Sequence, residues 1–348
     1  MTNAPPLTAP RGSAKPLDTV YDVALLDLDG TVYLGGAAIA GAPEALHEAG
    51  QAGMRLAYVT NNANRTPAAI AESLTGMGVP ATTEDIVTSA QAAAHMLADR
   101  LPAGAPVLVV GGSGLRQAVR ERGLRPVTTA ADRPLAVVEG FSPTISYSLL
   151  AEGGLAVAAG ALFVLSNSDR TLPSKRGNQP GNGSLAQVIT YATGVQPLVA
   201  GKPDPPLHHE SVQRTGAKNP LAVGDRLDTD IEGAHRGGVD SLLVLTGVTS
   251  PAEAILAPPQ QRPTYVSVDL AGLHQPHPEV ASQDGAFGCG GWTARWDGQR
   301  LGLDGGGDYI DGLRALCAAG WSADGVTADA AREAVQQLNG AHGAPGTS

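Results

Sequence analysis

The sequence predicts an α/β protein: mostly parallel sheets covered by helices on both faces, an inserted α/β domain and a small α+β appendage at the C-terminal end. Three observations carry this. Short apolar runs recur between helical patterns, at Val23–Leu28, Leu56–Thr60, Val107–Val110, Leu135–Glu139, Leu162–Ser166, Leu221–Gly224 and Leu242–Leu245. Such alternation is the mark of βα units with doubly buried strands. A chain of 348 residues exceeds one ordinary compact domain. Beyond about Gly285 the character changes, because all three tryptophans (Trp292, Trp296, Trp321) and both cysteines (Cys289, Cys317) lie there.

Residues 1–18 are rich in Pro, Ala and Thr without an apolar period and read as a flexible leader. Thr66-Pro67 has the form of an N-cap followed by proline at the first helical position, Ser89 precedes a helical run at Gln91–Leu101, and Gly237-Gly238 marks a helix stop. In the appendage, Gly290–Leu303 resembles a hairpin, and Asp308–Ala319 and Thr327–Leu338 resemble two helices. Its tryptophans read as the core of so small a segment rather than as a stacking surface. The expected division is 1–18 leader, 19–84 with 197–280 core, 85–196 inserted domain and 285–348 appendage.

Composition excludes several function classes. Hydrophobic residues make up 43% and charged residues 16%, which is globular. A net charge of −10, with Lys and Arg scattered singly, offers no face for a nucleic-acid backbone. No apolar run approaches the roughly 20 residues of a membrane helix, and the N-terminal end has no signal-peptide core, so a cytoplasmic protein without membrane or nucleic-acid partners is expected. With both cysteines near the C-terminal end, the rest of the chain holds no disulfide or thiolate metal site, in keeping with a reducing compartment.

Four segments could carry chemistry. Val23 to Thr31 is a buried strand ending in Asp27-Leu28-Asp29-Gly30, and a period of two sends both carboxylates to one side. At the C-terminal end of a parallel strand such a pair can supply a nucleophile and a proton donor; taken alone it is equally an Asp-Gly turn. Tyr58 to Asn62 ends a strand in Thr60, Asn61 and Asn62, suited to hydrogen-bonding phosphoryl oxygens, although loops also collect such residues. Lys202, fixed between Gly201 and Pro203, could balance phosphate charge or be a lone surface lysine. Leu221 to Ile231 is a second strand ending in acids, Asp225, Asp228 and Asp230. Carboxylates crowded at adjacent strand ends repel one another unless a cation lies among them, and oxygen-only ligands point to Mg²⁺.

In this order and on these strands, the four segments resemble the haloacid dehalogenase superfamily of phosphatases, whose core is a Rossmann-like parallel sheet. The resemblance implies Asp27 as nucleophile, Asp29 as general acid and then base, and Thr60 with Asn61 holding the phosphoryl group, Asn62 beside them. Lys202 would balance charge, and Asp225 would ligate Mg²⁺ with the Asp27 side chain and the Asp29 carbonyl, supported by Asp230. The role of Asp228 stays open.

Asn167-Ser168-Asp169-Arg170-Thr171-Leu172-Pro173, continuing through Gly177 to Ser184, is similar to a signature of the class IIA branch, which includes nitrophenyl-phosphate, glycerol-phosphate, phosphoglycolate and pyridoxal-phosphate phosphatases. With Gly140-Phe141 and Pro263-Thr264-Tyr265, the similarity spans about Tyr21 to Leu273, and residues 85–196 would act as a cap. Ser142 departs from it, since relatives often carry aspartate there. The loop is polar and poor in aromatics, so glycerol 3-phosphate is the first expectation, with phosphoglycolate, pyridoxal phosphate and sugar phosphates as alternatives. Caps of this branch often dimerise, which implies a possible homodimer.

Two other signals are set aside. Val107 to Leu115 resembles a dinucleotide turn, but Gln117 stands where a third glycine is needed; His208-His209-Glu210 lacks the second histidine of a zinc helix and reads as a helix surface. A phosphomutase using the same aspartate, and a regulatory protein acting through the appendage, are the competing readings.

Overall fold

The computed structural model describes residues 7–172 and 176–342; Pro173 of the Asn167–Ser184 signature lies outside the described residues. By internal contacts the chain divides into two compact units, Met1–Leu56 with Lys218–Ser348, and Ala57–Ala217.

In the first unit, Val23–Leu26, Pro220–Gly224, Asp240–Val244 and Tyr265–Ser267 lie side by side, every pair parallel. Leu26 lies opposite Val223, and Asp27 N donates to Val223 O at 2.8 Å, so the two acid-bearing strands end together. The strands are buried along their length, as parallel strands packed on both faces are. Helix Glu232–Gly237 stops at Gly238, whose φ of +67° is the left-handed cap that glycine adopts without Cβ strain.

The appendage has the two expected helices, and its sheet is larger than the expected hairpin. Ala281–Gln283, Ala286–Cys289, Trp292–Trp296 and Leu301–Gly305 form one antiparallel sheet, followed by helices Tyr309–Trp321 and Ala328–His342. Along Trp292–Trp296 burial alternates, with Trp292 and Ala294 inward and Thr293 and Arg295 outward. Its core is not its own: Trp292, Leu313, Leu316 and Trp321 belong to one apolar cluster with Ile231, Leu243, Ile255 and Val266 of the parallel-sheet layer.

Residues 7–16, expected as part of a flexible leader, are a correction. Arg11 N donates to Thr264 O (2.8 Å), Ser13 bridges His277, and Leu7 O accepts from Arg262 Nη1 (2.7 Å). Composition carries no sign of such backbone pairing, because it is made with residues some 250 positions away.

In the second unit, Tyr58–Thr60 pairs parallel with Ile86–Thr88. A separate five-stranded parallel sheet has the spatial order Leu198–Val199, Leu162–Leu165, Ala136–Glu139, Pro106–Val110, Arg125–Val127. Helix Pro67–Gly76 starts as expected, Thr66 Oγ1 accepting from Ala69 N; the next helix, Ser89–Ala98, is capped by Thr88 in a reciprocal box with Gln91 rather than by Ser89.

The His208-His209-Glu210 stretch is also corrected. On helix Pro205–Thr215, His208 and Glu210 are buried and only His209 faces out. Glu210 pairs with Arg122 (2.7 Å), Arg214 (2.6 Å) and His95. Burial alone raises the Glu210 pKa, but Arg214, His95 and Arg122 outweigh it and hold the carboxylate below its usual range. Among the described residues, no helix is long and apolar enough to cross a membrane.

Candidate active site

The acids of the first unit converge because two neighbouring parallel strands end in them. Asp27, Asp225 and Asp230 each present an oxygen within 4.8 Å of the others. Asp225 is fully buried; its Oδ2 accepts from Val248 N (2.7 Å) and its Oδ1 from Thr31 Oγ1 (3.5 Å). Asp230 sits on the single π turn Leu227–Ile231, where its Oδ2 accepts from Arg226 N at 3.1 Å.

The space around these carboxylates is kept by glycines. A Cβ on Gly247 would lie 2.0 Å from Asp225 Oδ2, and one on Gly30 (φ +88°) 2.4 Å from the same oxygen. A Cβ on Gly224 would meet the Asp230 carboxyl at 2.3 Å. Three carboxylates drawn together in a cradle without side-chain bulk fit a hard divalent cation such as Mg²⁺, which takes oxygen ligands and would offset their repulsion.

Asp29 is exposed, and its Oδ2 accepts from Tyr33 Oη at 3.0 Å. Asp228 turns away: its carboxylate takes both Nε and Nη2 of Arg226, at 3.0 and 2.9 Å, on the exposed rim.

In the second unit, Lys202 and Asp169 are assembled around the Asn61 amide, and the neighbouring Thr60 Oγ1 accepts from Asn62 N at 3.1 Å. Asn61 Oδ1 accepts from Lys202 N (2.9 Å), and its Nδ2 donates to Lys202 O (3.1 Å) and to both Asp169 oxygens (3.3 Å each). The Asn61 carbonyl accepts from Ser89 Oγ (2.6 Å) and Asn167 Nδ2 (2.7 Å). Lys202 is buried and its Nζ donates to Val59 O at 3.1 Å. A Cβ at Gly201 would lie 2.5 Å from Asn61 Oδ1, so only glycine lets the two segments meet. Asn62 is spent locally, its Oδ1 accepting from Asn64 N and Arg65 N.

His208 lies behind Lys202, and among the described residues neither ring nitrogen has a hydrogen-bond partner. Burial, then the positive charge of Lys202, lowers its pKa to about 3, so the ring is neutral.

Sequence reasoning took Ser89 only as a helix start and Asn167 to Asp169 as part of a branch signature; it missed their hold on Asn61, and it missed the Thr246-Gly247-Val248 turn that holds Gly30 O (Thr246 Oγ1, 2.6 Å) and Asp225. The turn follows the strand Asp240–Val244, and a third strand end beside two acid-bearing ones was the available signal.

Residues 24–125 match the haloacid dehalogenase-like hydrolase family, 199–273 a second HAD-hydrolase-like family, and 289–339 the GCN5-related N-acetyltransferase like domain. The chain is 47% identical over 308 residues to a D-glycerol 3-phosphate phosphatase of Mycobacterium tuberculosis, covering 87% of this chain and 86% of that one. It is 40% identical over 231 residues to a 5'-nucleotidase of Bacillus subtilis, covering 66% and 89%. Among solved structures, a glycerol phosphate phosphatase from Mycobacterium tuberculosis in complex with magnesium superposes with a TM-score of 0.84 at 45% identity, over 93% of this chain and 99% of that one.

Proposed function

We propose that this chain, which belongs to the haloacid dehalogenase-like hydrolase family and is a phosphatase, hydrolyses glycerol 3-phosphate through a phosphoryl group carried on Asp27. The observation that carries the chemistry is the meeting of Asp27, Asp225 and Asp230 at neighbouring strand ends. The leaving group rests on the Mycobacterium tuberculosis relative, which aligns over 87% of the chain, whereas the nucleotidase aligns over only 66%.

In this reading an Asp27 oxygen attacks phosphorus, the ester bond breaks, and Asp29 gives its proton to the departing glycerol oxygen. Asp29, now a carboxylate, takes a proton from the water that cleaves the acyl-phosphate, which restores Asp27 and releases phosphate. The exposure of Asp29, with Tyr33 Oη steadying one oxygen, supports a group that exchanges protons in both halves. Mg²⁺, held by Asp27, Asp225 and the Asp29 carbonyl with Asp230 in support, supplies positioning and charge neutralisation. Thr60 and Asn61 hold the phosphoryl oxygens, and Lys202 balances their charge, its backbone fixed by Asn61.

Residues 19–84 with 197–280 are the catalytic core in this reading, and 85–196 the cap that selects the leaving group. Exposed Tyr147, Leu155, Val188 and Tyr191 on the helices Tyr147–Ala158 and Asn182–Thr193 support a homodimer through the cap.

The test is phosphate release by kcat/KM from glycerol 3-phosphate, phosphoglycolate, pyridoxal phosphate, a sugar phosphate and nitrophenyl phosphate, with Mg²⁺ and with chelator. Glycerol 3-phosphate should lead, and chelator should abolish release; a higher kcat/KM for another ester would replace the substrate, and release unaffected by chelator would remove the metal.

A further inference from the structure

The five-stranded sheet of the second unit has its own topological switch. Counting its strands along the chain, Pro106–Val110 is first, Arg125–Val127 second, Ala136–Glu139 third, Leu162–Leu165 fourth and Leu198–Val199 fifth, and their spatial order is 2-1-3-4-5. The chain therefore leaves the first strand to one side and returns to place the third on the other. In open parallel sheets, ligands bind outside the C-terminal ends of the strands where the order reverses.

A crevice of about 350 Å³ opens at that point. One wall follows the first strand and brings Ser113 and Arg116; the other follows the third and brings Ser142, Thr144, Ile145 and Leu149. The size matches small-molecule sites, and the lining combines convergent polar groups with an apolar wall.

Arg116 is the group that asks for an anion. It is half-buried, its hydrogen bond goes from Nη2 to Val109 O at 3.3 Å, and among the described residues no carboxylate pairs with it. Burial, and then the Arg120 charge, lowers its pKa, the sign of a cation short of solvent and of counter-charge. Opposite it, Ser142 Oγ and Thr144 Oγ1 lie 3.1 Å apart. The glycines of the turn are accounted for by packing rather than by a ligand, since Cβ atoms on Gly112 and Gly114 would strike Asn64 Oδ1 (2.0 Å) and Arg65 O (2.4 Å).

We propose that this crevice is a second binding site, separate from the phosphoryl-transfer chemistry, for a phosphate group held by Arg116, Ser113, Ser142 and Thr144, with room against Ile145 and Leu149 for a small organic part. The phosphate is either free inorganic phosphate or that of a small monoester.

Calorimetric titration of the full chain in chelator, with inorganic phosphate and separately with non-hydrolysable propylphosphonate, tests this. Arg116→Gln should weaken the better-bound probe at least tenfold, a charged hydrogen-bond donor being lost. Ser142→Asp, which tethers a carboxylate opposite Arg116, should abolish that binding. Both variants should keep wild-type kcat/KM for glycerol 3-phosphate within twofold in phosphate-free buffer, so the binding result stands whichever ester the enzyme prefers. Tighter propylphosphonate assigns the site to a monoester and tighter phosphate to the free ion. Unchanged binding of both probes in folded Arg116→Gln and Ser142→Asp overturns the proposal.

Discussion

Asn61 grips Lys202 at two points, its Oδ1 accepting from the lysine N–H at 2.9 Å and its Nδ2 donating to the lysine carbonyl at 3.1 Å. The two residues are 141 positions apart, and the clamp makes one rigid object of the strand end at Thr60 and the Gly201-Lys202-Pro203 turn. Because the same Nδ2 also meets Asp169, the segment 167–169 is registered against that object.

Asn61→Ala leaves the Lys202 N–H and C=O without that partner, at a cost of about 1–3 kcal/mol. In addition, kcat/KM should fall roughly 100-fold through lost positioning. Asn61→Asp should do worse, since it keeps the acceptor, loses the donor and sets a second carboxylate against Asp169. Urea unfolding with steady-state kinetics on the three proteins checks this; wild-type kcat/KM in Asn61→Asp would remove the clamp from the argument.

Asp27→Asn keeps the side-chain shape and removes the proposed nucleophile. Turnover should drop at least about 1,000-fold while the thermal midpoint stays within a few degrees of wild type. Mass spectrometry after brief exposure to substrate should find a phosphoryl adduct on the wild type and none on the variant; retained turnover would take the attacking role from Asp27.

The carboxylate cradle predicts a metal phenotype from a residue with no ligand of its own. In Gly247→Ala the new Cβ falls 2.0 Å from Asp225 Oδ2 and forces that carboxylate to move. The Mg²⁺ concentration for half-maximal activity should rise tenfold or more, whereas Asp228→Asn, on the rim with Arg226, should change it less than about twofold. Mg²⁺ titrations of activity decide, and the opposite ranking would put the ion elsewhere.

How much of this was legible follows from the range of the signals. Asp27, Asp225 and Asp230 could be read because each follows a short apolar run, and strand ends of a parallel sheet are a local feature. The Thr66 cap was legible for the same reason. Glu210 was misread as surface because its partners, His95 and Arg122, lie on elements about 90 to 115 positions earlier, and no local period records them. The two helices of the appendage were legible as local runs, but the long-range pairing of the leader and of the appendage was not: Ser13 pairs with His277, and Trp321 Nε1 donates to Ala254 O across 67 positions.

That last bond makes the appendage a stability element of the hydrolase layer. Arg262 stacks 5.6 Å from the Trp321 ring centre and donates to Trp321 O at 2.9 Å. Trp321→Ala should cost about 3–5 kcal/mol. The loss should register in the unfolding of the parallel-sheet unit, because Ile255 and Leu243 share its core. A midpoint within a degree of wild type would show the appendage to be independent.

Glu139 gives the pH prediction. It ends the strand Ala136–Glu139, fully buried, and among the described residues neither carboxyl oxygen has a hydrogen-bond partner. Burial raises its pKa from 4.5 to about 8, so the folded protein holds it neutral at pH 7. The sign follows from linkage. Below pH 4.5 both folded and unfolded chains are protonated and nothing is lost; between 4.5 and about 8 only the unfolded chain releases the proton, so stability drains away as pH rises. The drain is on the order of a few kcal/mol and is complete above pH 8. Glu139→Gln removes the titration, so its thermal midpoint should exceed that of wild type by a margin that grows from pH 5 to pH 8.5. A margin constant across that range would mean that Glu139 does not titrate between the two states.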